Sequence, residues 1–144
     1  MKISECMTRD VRVASPDNTM QSAAQAMADI DAGFLPVADN DRLVGIVTDR
    51  DIAVRGVAAG RPPETNIREV MSAEVAYCYA DEDVDDVLDN MGDIQVRRLP
   101  VVDRDKRLVG IVSISDLADS GDAGQALGQI ARPSDQHSQS ALSW

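Results

Sequence analysis

Aromatic side chains are almost absent from this sequence: one Trp, two Tyr and one Phe, 3% of 144 residues. A core must therefore be built from Val, Ile, Leu, Met and Ala. Histidine occurs once, as His137, and cysteine twice, as Cys6 and Cys78. That set is too small for a closed four-ligand zinc site. The single histidine sits near the C-terminus, so no Ser-His-Asp or Cys-His arrangement assembles around it, and no enzymatic activity is expected. Long apolar runs are missing as well: Leu-Val-Gly-Ile-Val at 43–47 falls far short of the roughly 20 residues that span a bilayer. No basic segment followed by an apolar one opens the chain, so neither a secretory signal nor a membrane partner is expected. The expected location is cytoplasmic, with both thiols reduced and partly buried.

Positive charge is scarce too. Fourteen Lys and Arg against twenty-five Asp and Glu leave a formal −11 and a pI near 4.3. A field of that sign repels a phosphate backbone, so nucleic acid is not an expected partner. One small phosphorylated ligand held by a local arginine remains compatible with it. What the chain does contain, 44% hydrophobic and 27% charged residues, is a globular composition. Its length allows one ordinary domain or two small subdomains sharing a core.

The strongest signal is internal repetition. A shift of 64 places sets Ile3 on Ile67, Glu5 on Glu69, Met7 on Met71 and Val11 on Val75. It also aligns Met27 with Met91, Ile30 with Ile94, and Leu35-Pro36-Val37 with Leu99-Pro100-Val101. One residue is added after Asp103, and the shift becomes 65. From there Arg-Leu-Val-Gly-Ile-Val at 42–47 matches 107–112 without a mismatch, and Asp51 falls on Asp116. The chain is a tandem duplication.

Each copy reads alike. Met20, Ala23, Ala24 and Met27 form the stripe of an amphipathic helix, and Val84, Val87, Leu88 and Met91 repeat it. Asp17 to Thr19 and Asp81 to Asp83 stand where they can cap those helices. Residues 34–38 and 99–102, then 43–48 and 108–113, read as hairpin strands, with 11–13 and 75–77 as candidate first strands. Second helices are expected to begin near Asp49 and Ser115, and short helical turns to end at Met7 and Met71. The fold class is therefore α/β (α+β by some schemes), two β-α-β-β-α repeats packed about a pseudo-twofold axis. Halves of about 60 residues bury too little surface alone, and facing copies remedy this. Residues 1–60 are read as the first repeat with its N-terminal segment, 61–66 as a linker and 67–120 as the second repeat. Residues 121–144 are read as a mostly flexible tail with one short helix around 123–130.

The Leu-Pro-Val strand, the Arg-Leu-Val-Gly-Ile-Val strand and the Thr/Ser-x-x-Asp that follows, repeated in order, resemble the cystathionine-β-synthase (CBS) domain. Two in tandem resemble a CBS pair, or Bateman module, over roughly residues 1–119. The resemblance implies a regulatory module that binds an adenosine-containing ligand such as AMP, ADP, ATP, NAD or S-adenosylmethionine and acts on a separate, unidentified protein. It also implies a homodimer associating through the helices of both repeats. No cofactor is required.

Thr48-Asp49-Arg50-Asp51 and Ser113-Ile114-Ser115-Asp116 lie where a strand hands over to a helix. A helix start offers unpaired N–H groups that favour phosphate, and a Thr48, Ser113 or Ser115 hydroxyl can bond a phosphate oxygen. Asp51 or Asp116 can accept from both ribose hydroxyls. The same spacing also reads as a capping box, which needs no ligand; the two roles are compatible. Arg97 and Arg98 precede Leu99-Pro100, where the resemblance implies a basic group near ligand phosphates. The first copy has Gly33 and Phe34 there, so Arg50 and Arg55 are its candidates. Val13 and Tyr77, like Val11 and Val75, are candidate adenine walls, and Phe34, Pro36 and Pro100 complete the expected lining. The acidic run Asp81-Glu82-Asp83 with Asp85-Asp86 meets a helix dipole, and no metal site is expected there. The methionines at matched positions read as adaptable core.

Overall fold

A computed structural model describes residues 1–118; the helix expected around 123–130 lies outside them. No helix among the described residues is long and apolar enough to cross a membrane. Helix α1 (Met20–Ile30) starts where Thr19 turns extended and its hydroxyl accepts the Ser22 N–H at 3.1 Å. It stops at Asp31, which takes a left-handed φ of 53°. Met20, Ala23 and Met27 are buried along one face, but Ala24 is exposed. Its counterpart in α3 (Val84–Ile94), Leu88, is buried with Val87 and Met91. On the flank of the stripe a methyl is too short to reach the core and an isobutyl group is not.

Strands β1 (Phe34–Asp39) and β2 (Arg42–Thr48) form an antiparallel hairpin. Asn40 and Asp41 both take positive φ, 50° and 68°, the backbone a two-residue hairpin turn demands. Strands β4 (Arg98–Val102) and β5 (Leu108–Ser113) repeat the hairpin with a longer turn. There the Asp103 carboxylate accepts the N–H groups of Asp105 and Arg107, both at 2.9 Å, which absorbs the extra residue. Helix α2 (Asp49–Asp51) follows β2 and widens into a π-helical stretch, Ile52–Val57; α4 (Ile114–Ala118) follows β5.

The first strands begin later than 11–13 and 75–77. Ala14 makes a single parallel bridge to Val37, and β3 is only Cys78–Tyr79, parallel to β4. Arg12 and Val13 are exposed, whereas Ala14 and Cys78 are buried. Pairing starts where a small side chain first turns into the core.

The chain divides into two compact units. One is contiguous, Arg12–Val75; the other is split, Met1–Val11 joined by the chain from Ala76 onward. The packing boundaries, after Val11 and after Val75, thus fall within the repeats at positions that the 64-place shift aligns. Ile67, in a 3-10 turn (Ile67–Glu69), donates to Asn18 O at 2.8 Å; Ile3, in the matching turn (Ile3–Glu5), donates to Glu82 O at 2.9 Å. Ser72 exchanges two backbone hydrogen bonds with Ile46, both 2.9 Å, and Thr8 exchanges two with Ile111, at 2.8 and 2.9 Å. Each hairpin is completed by the segment that precedes the other repeat. Ile3 and Ile67 are both 0% exposed, so these segments are anchored by burial as well as by hydrogen bonds.

Separate cores follow. In the contiguous unit Met20, Met27, Leu35, Val37, Val47 and Ile67 cluster. In the split unit Leu88, Met91, Leu99, Val101, Val112 and Leu117 do the same. Cys78 belongs to the latter core and Cys6 packs against it. Burial, with Glu82 and Cys6 adding to it, pushes the Cys78 thiol up to about 12. Such a thiol behaves as a small hydrophobe, not as a nucleophile.

The exchanged segments press on glycines. A Cβ at Gly45 would sit 2.5 Å from the Ser72 carbonyl oxygen, and one at Gly110 would sit 2.6 Å from that of Thr8. Backbone cannot retreat here without breaking the paired bonds. Gly45→Ala and Gly110→Ala should each cost about 1–3 kcal/mol, read as a lower urea midpoint; midpoints within error of wild type would show that the segments yield.

Candidate ligand-binding site

Residues directly opposite each other in an antiparallel pair point to the same face, and their neighbours point to the other. In the contiguous unit Leu35, Val37 and Val47 take the core face. The register then puts Phe34 with Thr48, and Pro36 with Ile46, on the opposite face. Ala14 donates to Pro36 O and accepts from Ala38 N, both at 2.9 Å, which brings the preceding Val13 alongside Pro36. Phe34, Pro36, Ile46 and Thr48 are buried and Val13 is exposed at the edge.

The split unit copies this. Arg98 stands opposite Ser113 and Pro100 opposite Ile111, with Leu99, Val101 and Val112 in the core. Cys78 pairs with Val101, so Tyr77 lies beside Pro100 as Val13 lies beside Pro36.

At the end of each hairpin the Thr/Ser-x-x-Asp motif closes on itself. Thr48 N donates to Asp51 Oδ2 and Asp51 N to Thr48 Oγ1, each at 3.0 Å. Ser113 N donates to Asp116 Oδ2 at 3.1 Å, and Asp116 N to Ser113 Oγ at 3.2 Å. Both are complete capping boxes. Asp49 N donates to Gly33 O at 2.8 Å and Ile114 N to Arg97 O at 2.9 Å, which pins each helix start to the entry of its own hairpin. The hydroxyls accept within the box; Thr48 keeps an O–H to give, the Ser113–Ser115 pair keeps one between them, and each carboxylate keeps a second oxygen. A donor and an acceptor are thereby fixed side by side at the edge of a partly apolar face. Ser113 and Ser115 hydroxyls lie 2.9 Å apart and extend this polar edge.

The arginines divide. Arg50 is exposed at the helix start, its amide bonded to Asp49 Oδ1 at 2.8 Å. Arg55 bonds within its own unit. Its Nη1 donates to the carbonyls of Val70 and Met71 at 3.4 and 3.3 Å, and its Nε lies 3.9 Å from Asp51 Oδ1. Arg55 lies in the π-helical stretch, a feature that spacing in the sequence does not reveal. Arg97 is half-buried and contributes a backbone acceptor; Arg98 holds the place across from the motif.

Around Tyr77 the structure adds residues that the sequence did not single out. The Tyr79 ring meets Tyr77 edge-on at 5.7 Å between centroids, and Lys106 Nζ lies 5.4 Å from the Tyr77 centroid. Arg104 lies 4.0 Å over Tyr79 and grips both Asp81 oxygens at 2.9 and 2.6 Å, which holds that carboxyl below its ordinary range. Two tyrosines two residues apart on a strand share a face, and that period was the available signal. The contiguous unit has Val13 and Ser15 there instead.

Two doubled hairpins, each ending in a capping box beside a proline-bearing face, match a known pattern. The model of the CBS domain matches residues 3–56 and 67–121. The chain belongs to the CBS-domain family. It is 40% identical over 133 residues to the CBS domain-containing protein YhcV of Bacillus subtilis, covering 90% of this chain and 94% of that one. Its fold is similar to a crystal structure of Hypoxic Response Protein I with two coordinated zinc ions. The TM-score is 0.73 at 38% identity, over 84% of this chain and 99% of the other. A third similarity is to the CBS pair of protein MJ0100 in complex with 5′-methylthioadenosine and S-adenosyl-L-methionine. There the TM-score is 0.67 at 29% identity, over 83% and 94% of the two chains. Among the described residues of this CBS pair, no three His, Cys, Asp or Glu side chains converge as a metal site.

The boxes carry structural weight whatever they bind. Thr48→Val and Ser113→Ala should each lower stability by about 1 kcal/mol, Thr48→Val the more because Thr48 is the more buried residue. Equal urea midpoints for variant and wild type would show that the hydroxyls are not caps.

Proposed function

We propose that this CBS pair is a non-enzymatic, cytoplasmic regulatory protein that binds an adenosine-containing ligand in each unit and modulates a separate protein. The candidate ligands are AMP, ADP, ATP, NAD and S-adenosylmethionine. The observation that carries the reading is the doubled juxtaposition of a fixed carboxylate and hydroxyl with a shielded face bearing Pro36 or Pro100. Asp51 and Asp116 offer an oxygen to ribose hydroxyls, Thr48, Ser113 and Ser115 an O–H to phosphate, and Val13 and Tyr77 a wall to the base. Both ligands bound to the MJ0100 pair contain adenosine, which supports this assignment.

The units differ in what they offer an anion. Arg98 occupies the place across from Ser113 that Phe34 occupies across from Thr48. In a protein of net −11, local cations set phosphate preference, so the split unit is assigned the more highly phosphorylated ligand. A second reading has its own support. Both capping boxes are satisfied internally, as a module that serves only protein interaction would require.

Calorimetric titration with AMP, ATP, NAD and S-adenosylmethionine separates the two readings. Binding by at least one, weakened about tenfold to a hundredfold in Asp51→Asn/Asp116→Asn, is the expected result. Flat traces for all four on nucleotide-free protein would support the interaction module instead.

We further propose a homodimer that buries the exposed Ile30, Val54 and Val57 of the contiguous unit, which are 42%, 52% and 68% exposed. Single apolar residues on a surface are ordinary, but these fall on α1 and the π-helical stretch that packs against it. Light scattering should give twice 15.5 kDa at micromolar concentration, and Val57→Asp should halve it; a monomeric wild type would exclude the dimer.

A further inference from the structure

We infer that Arg55 is a positioning residue that latches the Thr48–Asp51 motif to the segment carrying the chain out of the contiguous unit. The inference goes beyond ligand identity and does not depend on it. Val70 and Met71 follow the single 3-10 turn Ile67–Glu69, and their carbonyls belong to the exit of that turn. Carbonyl groups at such an exit lack onward helical donors and carry partial negative charge. The Arg55 guanidinium reaches both, at 3.4 and 3.3 Å, while its Nε faces Asp51 Oδ1 at 3.9 Å. Asp51 is thus shared: Oδ2 closes the capping box and Oδ1 faces the latch.

What the latch holds is structurally consequential. The next residue, Ser72, makes the two hydrogen bonds that complete the β1–β2 hairpin over Gly45. Three residues further on the chain leaves this unit, at Val75–Ala76. A group that engages Asp51 Oδ1 competes with Arg55 for that oxygen, and Arg55 links the competition to the Val70 and Met71 carbonyls beside Ser72. Arg55 lies in the π-helical stretch Ile52–Val57, four residues after Asp51, so one side chain can face both the motif and the turn. The second copy carries Ser120 at the matching position, which cannot bridge as a cation does.

The test is a double-mutant cycle on the full chain without ligand, read by hydrogen exchange at the Ser72 and Ile46 amides. Arg55→Ala should speed exchange at both by about three- to tenfold, with Arg55→Lys recovering part of the loss. Asp51→Asn keeps the shape of the box and removes the charge; it should speed Ser72 exchange in the Arg55 background and add little in Arg55→Ala. The Ala23 amide in α1 serves as the control for general loosening and should not change. Additive effects of the two substitutions, or faster exchange at Ala23 equal to that at Ser72, would overturn the latch. Because no ligand enters the cycle, its outcome is independent of the calorimetric test of nucleotide binding.

Discussion

The paired backbone bonds between Ser72 and Ile46, and between Thr8 and Ile111, are the constraint on which the rest of this molecule depends. They can form only because Gly45 and Gly110 leave room for a carbonyl oxygen at the strand surface. An added methyl group would separate two chains that otherwise meet in hydrogen-bond register. Once formed, these bonds fix the outer edge of each hairpin and hold the 3-10 turn that plugs the core with Ile3 or Ile67. The unit of folding is consequently not the unit of duplication. Residues 1–11 pack with the second copy's hairpin and residues 65–75 with the first copy's, so neither repeat can be excised at its sequence boundary without removing part of a core.

That arrangement also explains how the candidate sites are kept rigid. Each motif sits between a hairpin end and a helix start, and three backbone or side-chain bonds hold it there. The amide after the hydroxyl residue binds the hairpin entry at Gly33 or Arg97, while the box itself bonds its own first and last residues. A loop positioned this tightly loses little further entropy when a ligand arrives, which is how preorganisation contributes to affinity. Capping and recognition are therefore not rival uses of Thr48, Asp51, Ser113 and Asp116. The box uses one oxygen of each carboxylate and the acceptor side of each hydroxyl, and recognition would use the remainder.

Much of this was legible in the sequence, for identifiable reasons. The hairpins were readable because six identical residues recur at 42–47 and 107–112 and because strand periodicity is short. Helices α1 and α3 were readable from their apolar stripes, with Ala24 misplaced because a stripe's flank depends on side-chain length. The first strands were set too early because Val, a strand former, precedes Ala14, yet pairing follows the burial of the smaller residue. The exchange of segments was invisible: a repeat aligned on itself says which residues correspond, not which copy each one packs in. Arg55 was a candidate for the missing charge because it lies on the helix that begins at the motif, but its bonds to Val70 and Met71 join residues that no spacing in the sequence brings together.

The divergence between the copies is most informative where the fold holds everything else equal. Hairpin register, capping box and exchanged turn are the same in both units, so differences at matched positions are not needed to build the fold. Across from the box stands Phe34 in one copy and Arg98 in the other; beside the proline stands Val13 or Tyr77. Tyr77 further carries Tyr79 at its edge and Lys106 near its ring, a cation–aromatic group with no counterpart beside Val13. Position 55 bears the arginine that joins motif to turn, and position 120 a serine. One unit has thus gathered an aromatic and cationic group beside its proline, and the other an apolar wall and an arginine bridge. The matched positions have separated while the paired backbone bonds inside each unit have stayed the same.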